Sequence, residues 1–171
     1  MAIGLAEAGA DIIGVSGSLA PQGSEVEKAV LATGRTFKAY QADLSDRDAL
    51  YAFIKKVLAE NKAVDILINN ASAIQLSSTE QTEAKRFDLM HDINVRGTFL
   101  MTKACLLLLK KSCNAHILTL SPPINMDVKW LKNHVAYTMS KYNMSMMALG
   151  WAEEFKKDKI ASNALWPRTT I

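Results

Sequence analysis

Five short apolar runs, 11–15, 36–41, 64–68, 116–120 and 160–166, are each separated from the next by a stretch of helical periodicity. Strand runs such as Val64-Asp65-Ile66-Leu67-Ile68 carry almost no polar alternation, so both of their faces must be covered. The pattern therefore predicts parallel strands joined by crossover helices: a Rossmann-like, doubly wound α/β fold. In such a sheet ligands bind outside the carboxyl ends of the strands. Val15-Ser16, Asp43, Asn69-Asn70-Ala71 and Ser121 fall at those ends, and Pro167-Arg168 follows the last run.

The helices are marked by their ends. Residues 2–9 read as the close of a helix stopped by Gly9. Ser24 caps a helix to about Thr33, with Glu27 completing a capping box. Ser45 is expected to cap 46–61, with Asp48 near its positive end. One long helix is expected over 82–111 and another over 134–157, with Ser121-Pro122-Pro123 breaking the chain into a loop between them. At 171 residues and 49% hydrophobic, the chain suits one domain over 1–171.

Several classes of function are disfavoured. The net charge is only +3, and no basic run is interleaved with aromatics, so no nucleic-acid partner is expected. The longest apolar run, Ala104 to Leu109, is far short of the ~20 residues of a membrane span, and the start lacks the form of a signal peptide. Cys105 and Cys113 share no CxxC and read as free thiols in a reducing, cytoplasmic compartment. His91, His116 and His134 have no ligand spacing, so no metal is expected.

Tyr137 and Lys141 are four residues apart on a helix and so share a face. An isolated tyrosine titrates near ~10, and a neighbouring ammonium favours its phenolate, so the pair can trade a proton with an alcohol or a carbonyl. A bare YxxxK is more often a surface pair. Ser121 lies 16 residues before Tyr137, where a hydroxyl could hold a substrate oxygen; by itself it reads equally as a turn residue. Asn69-Asn70-Ala71 could fix loops and leave room for a flat ring, or be an ordinary turn. Asn94 sits mid-helix among Ile93, Val95 and Phe99, where asparagine is unfavourable, so it should be there for a hydrogen bond, structural or functional.

Taken in order, Asp65-Ile66-Leu67-Ile68-Asn69-Asn70-Ala71, Asn94, Ser121, Tyr137-Thr138-Met139-Ser140-Lys141 and Asn163-Ala164-Leu165-Trp166-Pro167 resemble the ordered motifs of the short-chain dehydrogenase/reductase family. From Asn70 onward the wording is similar to hydroxysteroid dehydrogenase-like proteins. Residues 2–16 and 37–43 look more like dehydrogenases of 2-deoxygluconate. The resemblance implies an NAD(P)-dependent oxidoreductase. Tyr137 would be the acid/base. Lys141 would lower the Tyr137 pKa and bind the nicotinamide ribose. Ser121 would hold the reacting oxygen, and Asn94 would position a water linked to Lys141. Asp43 and Leu44 would contact the adenine edge, while Asn70, Ala71 and Pro167 would line the cofactor. It also implies a homo-oligomer, with Met139, Met144, Met146 and Met147 packing between copies.

The family opens with a strand and a TGxxxGxG turn that cradles pyrophosphate. This sequence has neither, and it stops before the family's last strand. It therefore reads as truncated at both ends, with strands 2 and 3 parted from 4, 5 and 6, and weak cofactor binding is expected. The stretch Val15-Ser16-Gly17-Ser18 carries no carboxylate for a ribose diol, which favours NADP over NAD. Leu76, Met126, Trp130 and Leu131 suit an apolar alcohol or carbonyl substrate, or ordinary packing. The competing function is a non-catalytic binding or regulatory module on a degraded dehydrogenase fold.

Overall fold

A computed structural model describes residues 1–167. Arg168, one of the residues picked out from sequence, lies outside the described residues. The backbone groups into two compact units that meet in sequence between Phe53 and Ile54.

The first unit holds α1 (Ala2–Glu7), β1 (Ile12–Ser16), α2 (Glu25–Ala32), β2 (Phe37–Gln41) and the first half of α3 (Arg47–Glu60). The helix α1 ends where Gly9 takes φ 99°, which lets Ala10 N–H reach Leu5 O at 2.9 Å. Strands β1 and β2 pair in parallel from Ile12 opposite Phe37 to Ser16 opposite Gln41. Asp11 clips the start of that ladder: its carboxylate accepts from Thr36 N–H at 2.9 Å and from the Arg35 guanidinium at 2.7 Å. Ala6, Val30, Tyr40, Ala42, Leu50 and Phe53 are the buried apolar residues, with Tyr40 and Phe53 edge to face at 5.4 Å.

The capping expected at Ser24 is present, since its hydroxyl accepts from Glu27 N–H at 3.2 Å. Glu27 returns its carboxylate to Gly23 N–H rather than to Ser24. The cap expected at Ser45 belongs instead to Asp46, which accepts from Asp48 and Ala49 N–H at 2.8 and 3.1 Å. Ser45 is drawn into the preceding turn by Asp43, so the helix starts one residue later than 46.

The second unit runs from Ile54 and carries β3 (Ile66–Asn69), α4 (Ala84–His91), α5 (Thr98–Leu109), β4 (His116–Leu120), α6 (Val128–Leu131), α7 (Val135–Glu154) and β5 (Ala161–Leu165). Its strands form a parallel ladder in the order β3-β4-β5, with Asn69 opposite Thr119 and Leu120 opposite Leu165. Leu67, Cys105, Leu109, Ala115, Ile117, Trp151, Phe155 and Ile160 form one buried cluster joining the strands to α5 and α7. Among the described residues no helix is long and apolar enough to cross a membrane.

Two helices differ from expectation. Residues 82–111 are not one α-helix: a π turn over Asp92–Gly97 separates α4 from α5 and widens the coil around Asn94. The helix expected over 134–157 ends as α at Glu154 and closes through a 3-10 turn, Lys156–Asp158, with Lys159 left-handed. The methionines of α7 also divide. Met139 and Met146 are exposed, but Met144 is fully buried and Met147 packs against the core, so neither of these two is available to another copy.

The two cysteines are free, Cys113 exposed and Cys105 buried, and burial pushes the Cys105 thiol up to about 11. At pH 8 only about a thousandth of Cys105 would be thiolate. A thiol reagent should therefore label Cys113 rapidly, and Cys105 only as the unit unfolds. Two equally fast thiols in a kinetic assay would contradict this packing.

Candidate active site

Parallel pairing brings the carboxyl ends of β3 and β4 side by side, and the first two turns of α7 supply the remaining side chains. At the base, Asn69 Nδ2 donates to Thr102 Oγ1 at 3.0 Å, with Thr119 Oγ1 at 3.4 Å; all three residues are buried. Polar groups in that setting are tolerated only when paired, so Asn69 serves to lock α5 onto the strand ends.

Ser121 follows β4 directly and is only 2% exposed, with its N–H held by Leu165 O at 3.1 Å. Its hydroxyl is buried and has no hydrogen-bond partner among the described residues. An unmet buried hydroxyl is costly, about 1–3 kcal/mol, and asks for an oxygen or a donor opposite it. The loop after it is pinned by one face of α7: Lys141 Nζ donates to Leu120 O at 2.8 Å, Tyr142 Oη to Asn125 O at 2.7 Å, and Ser145 Oγ to Pro122 O.

Tyr137 is half-buried, with the Ser72 hydroxyl of the loop after β3 as a polar influence on its phenol; Ser72 Oγ itself donates to Ala73 O at 3.4 Å. Burial raises the Tyr137 pKa above its ordinary value, and the Ser72 contact offsets this only in part. Lys141 is also half-buried, which lowers its pKa. Its ammonium is spent on Leu120 O and, at 3.3 Å, on Met144 Sδ. Burial is the larger influence on the phenol in the free protein, and Lys141 is not among the groups that shift it.

Asn94 is fully buried in the π turn. Its Oδ1 accepts from Ala73 N–H at 2.7 Å, and its Nδ2 donates to Ala73 O and to Ser140 Oγ, both at 2.9 Å. Ser140 Oγ in turn donates to Tyr137 O at 2.8 Å. The resemblance gave Asn94 a water to hold; here both of its amide hydrogens are committed to protein. It ties the β3 loop to the turn of α7 that bears Tyr137.

Named contacts link Asn94 through Ser140 to the Tyr137 carbonyl, and Lys141 to the carbonyl of Leu120, the residue before Ser121. Asn70 and Ala71 are exposed at the end of β3, and Pro167 is exposed after β5. Asp43 and Leu44 lie in the first unit. Asp43 is exposed, and its Oδ1 accepts from Ser45 N–H at 2.8 Å and Ser45 Oγ at 2.7 Å, which lowers its pKa. Ser72 was not singled out from sequence as a site residue; the Ala73 that follows it is held by Asn94.

A family profile described as short chain dehydrogenase matches residues 1–170. Hydroxysteroid dehydrogenase-like protein 2 of Homo sapiens is 53% identical over 129 residues, 75% of this chain and 31% of the human protein. Its Mus musculus counterpart is 50% identical over 140 residues, 82% of this chain and 28% of the mouse protein. The chain therefore spans less than a third of the length of these relatives. Among solved structures, a short-chain dehydrogenase from Mycobacterium thermoresistibile superposes with a TM-score of 0.89 at 42% identity, covering 99% of this chain and 62% of that one. A metagenomic short-chain oxidoreductase solved with NADP shares the fold, with a TM-score of 0.88 at 23% identity over 99% of this chain and 75% of that one.

Replacing Asn94 by Ala removes three hydrogen bonds and strands two Ala73 backbone groups, a loss expected at about 2–4 kcal/mol. Ser140→Ala should cost about 1 kcal/mol. Urea unfolding of the two variants checks the order; equal losses would deny Asn94 its bracing role.

Proposed function

The chain belongs to the short-chain dehydrogenase family, and from that premise we propose that the protein interconverts an alcohol and a carbonyl compound by nicotinamide-dependent hydride transfer. One observation carries the reading. The Ser121 hydroxyl is buried and unpartnered, and the carbonyl of the preceding residue holds the Lys141 ammonium at 2.8 Å.

The residues present suit the nicotinamide end of such a cofactor. An exposed amide and a methyl, Asn70 and Ala71, close β3, with Lys141 on the facing helix and Pro167 exposed beyond β5. When bound, the cofactor would supply or take the hydride. Ser121 Oγ would donate to the substrate oxygen and oppose its developing negative charge. The Tyr137 phenol would deliver a proton to that oxygen in reduction and remove one in oxidation. Lys141 would hold the cofactor ribose and favour the phenolate as it forms. Asn94 acts as a positioning residue. The roles of Asp43 and Leu44 at the adenine edge rest on the family pattern, and no residue of this chain is proposed for a glycine-rich pyrophosphate cradle.

Two finer choices follow. The turn Val15-Ser16-Gly17-Ser18 offers hydroxyls, with Ser18 N–H on Ser16 Oγ at 3.2 Å, and no carboxylate, which favours NADP over NAD. Leu76, Met126 and Trp130 are exposed apolar side chains and favour an apolar alcohol or carbonyl substrate. Exposed Phe99 and Leu107 on α5, with Met139, Met146 and Leu149 on α7, support self-association.

Tyr137→Phe should lower NAD(P)-linked turnover about 10²- to 10⁴-fold, the usual contribution of a general acid–base group. Oxidation needs the phenolate, and burial raises the Tyr137 pKa, so the oxidation rate should climb through the alkaline range. Reduction needs the protonated phenol and should stay level until that range, then fall. Steady-state rates against pH in both directions read this; undiminished turnover in Tyr137→Phe would discard the reading. In the same assay kcat/KM should be higher with NADPH than with NADH.

A further inference from the structure

We propose that Ser145 and Tyr142 are further positioning residues for this reaction, their hydroxyls holding the loop after β4 by its carbonyls; this rests on the dehydrogenase reading above. Ser145 sets the Ser121 hydroxyl, and Tyr142 sets the apolar rim against which a bulky alcohol or carbonyl compound lies.

The loop after β4 cannot be held in the usual way. Pro122 and Pro123 follow Ser121 directly and carry no backbone N–H, so over this stretch the carbonyls are the backbone's hydrogen-bonding handles. Carbonyls need donors. The facing helix α7 supplies them at Thr138, Tyr142 and Ser145, spaced i, i+4, i+7 and therefore on one face. Ser145 Oγ donates to Pro122 O, Tyr142 Oη to Asn125 O at 2.7 Å, and Thr138 Oγ1 to Trp130 O at a longer 3.5 Å. The loop thus runs back along the helix, 122, 125 and 130 meeting 145, 142 and 138 in turn.

Ser145 is the member of this stripe next to the chemistry. A serine inside a helix commonly bonds back to a carbonyl of its own preceding turn, as Ser140 does to Tyr137 O at 2.8 Å. Ser145 is buried and instead gives its hydrogen to the neighbouring loop. Ser121 then lies between two carbonyls fixed from α7, Leu120 O by Lys141 at 2.8 Å and Pro122 O by Ser145. Its own N–H is on Leu165 O at 3.1 Å. The backbone is set on three sides, while the hydroxyl has no partner among the described residues. A donor that meets its oxygen only in the complex must be fixed beforehand, because stabilisation by oriented dipoles depends on preorganisation.

Tyr142 holds the rim. Its bond fixes the backbone of Asn125, whose Oδ1 accepts from Asp127 N–H at 2.9 Å. Asp127 Oδ1 in turn caps α6 through Lys129 N–H at 3.1 Å. On this frame Ile124, Met126, Val128 and Trp130 are all exposed, Met126 at 71% and Val128 at 75%. Core packing does not account for them, since none belongs to the buried cluster of this unit. Apolar side chains held outward on a closely bonded backbone, a few residues beyond Ser121, suit a bulky apolar substrate whose oxygen lies at that serine.

The test starts with the protein alone, by hydrogen exchange over 124–132 followed by mass spectrometry. Ser145→Ala and Tyr142→Phe should each speed exchange there roughly fivefold while β4 stays protected, the loss of one hydrogen bond. In steady-state reduction with NADPH, cyclohexanone is the small probe and cyclododecanone the bulky one. Ser145→Ala should lower kcat about tenfold with both ketones, the effect of a misplaced donor. In a Ser121→Ala background it should lower kcat little further, because its effect runs through that hydroxyl. Tyr142→Phe should raise KM for cyclododecanone about tenfold, and for cyclohexanone less. Unmoved exchange in a variant overturns the role of that residue whatever the turnover. Additive losses for Ser121 and Ser145 overturn the positioning of one by the other, and equal KM changes for the two ketones overturn the rim role of Tyr142. If Ser121→Ala keeps full turnover, the dehydrogenase reading itself fails, and this is separable because the exchange needs neither substrate nor cofactor.

Discussion

Everything at the mouth of the second unit depends on one saturated carboxamide. Asn94 uses both amide hydrogens and its oxygen on Ala73 and Ser140, at 2.7 to 2.9 Å, from a position with no solvent exposure. Buried groups of this kind are intolerant of half-measures, because any partner lost leaves another group unpaired in a medium that cannot replace it. The cost falls on the helix. A regular α-coil over 82–111 gives way to a π turn at Asp92–Gly97, the distortion that accompanies Asn94 in reaching sideways to a loop and to α7.

The strands were legible because apolar runs without alternation have one physical solution in an α/β chain: parallel neighbours covered on both faces. β1 to β5 fall within one or two residues of the runs that announce them. Helix ends were legible where the capping side chain has a single use, as at Ser24, and misread where two candidates stood together. Asp43 takes the Ser45 N–H and hydroxyl, while Asp46 takes the Asp48 and Ala49 N–H groups at the start of the helix. The short α6 was invisible, since four residues are too few to establish a period.

The candidate site divides in the same way. Tyr137, Lys141, Ser121 and Asn94 could be named from residue type, spacing and a family likeness, and the strand ends bring their elements together. Their electrostatic relation could not be read from spacing. Four residues along a helix put a phenol and an ammonium on one face, yet the ammonium turns to Leu120 O and Met144 Sδ, and burial sets the direction of both shifts. A helical interval states which side chains can meet; desolvation and rival acceptors decide what they do to each other.

It follows that the acid strength of the phenol is governed first by burial, which the Ser72 hydroxyl of the loop after β3 opposes only in part. The backbone of the loop after β3 is in turn held at Ala73 by Asn94. Such a site is braced by backbone path, so the loop after β3 and the turn that bears Tyr137 are held by the same carboxamide. A residue type that a helix interior disfavours thereby owes its place to joining a loop to a distant helix.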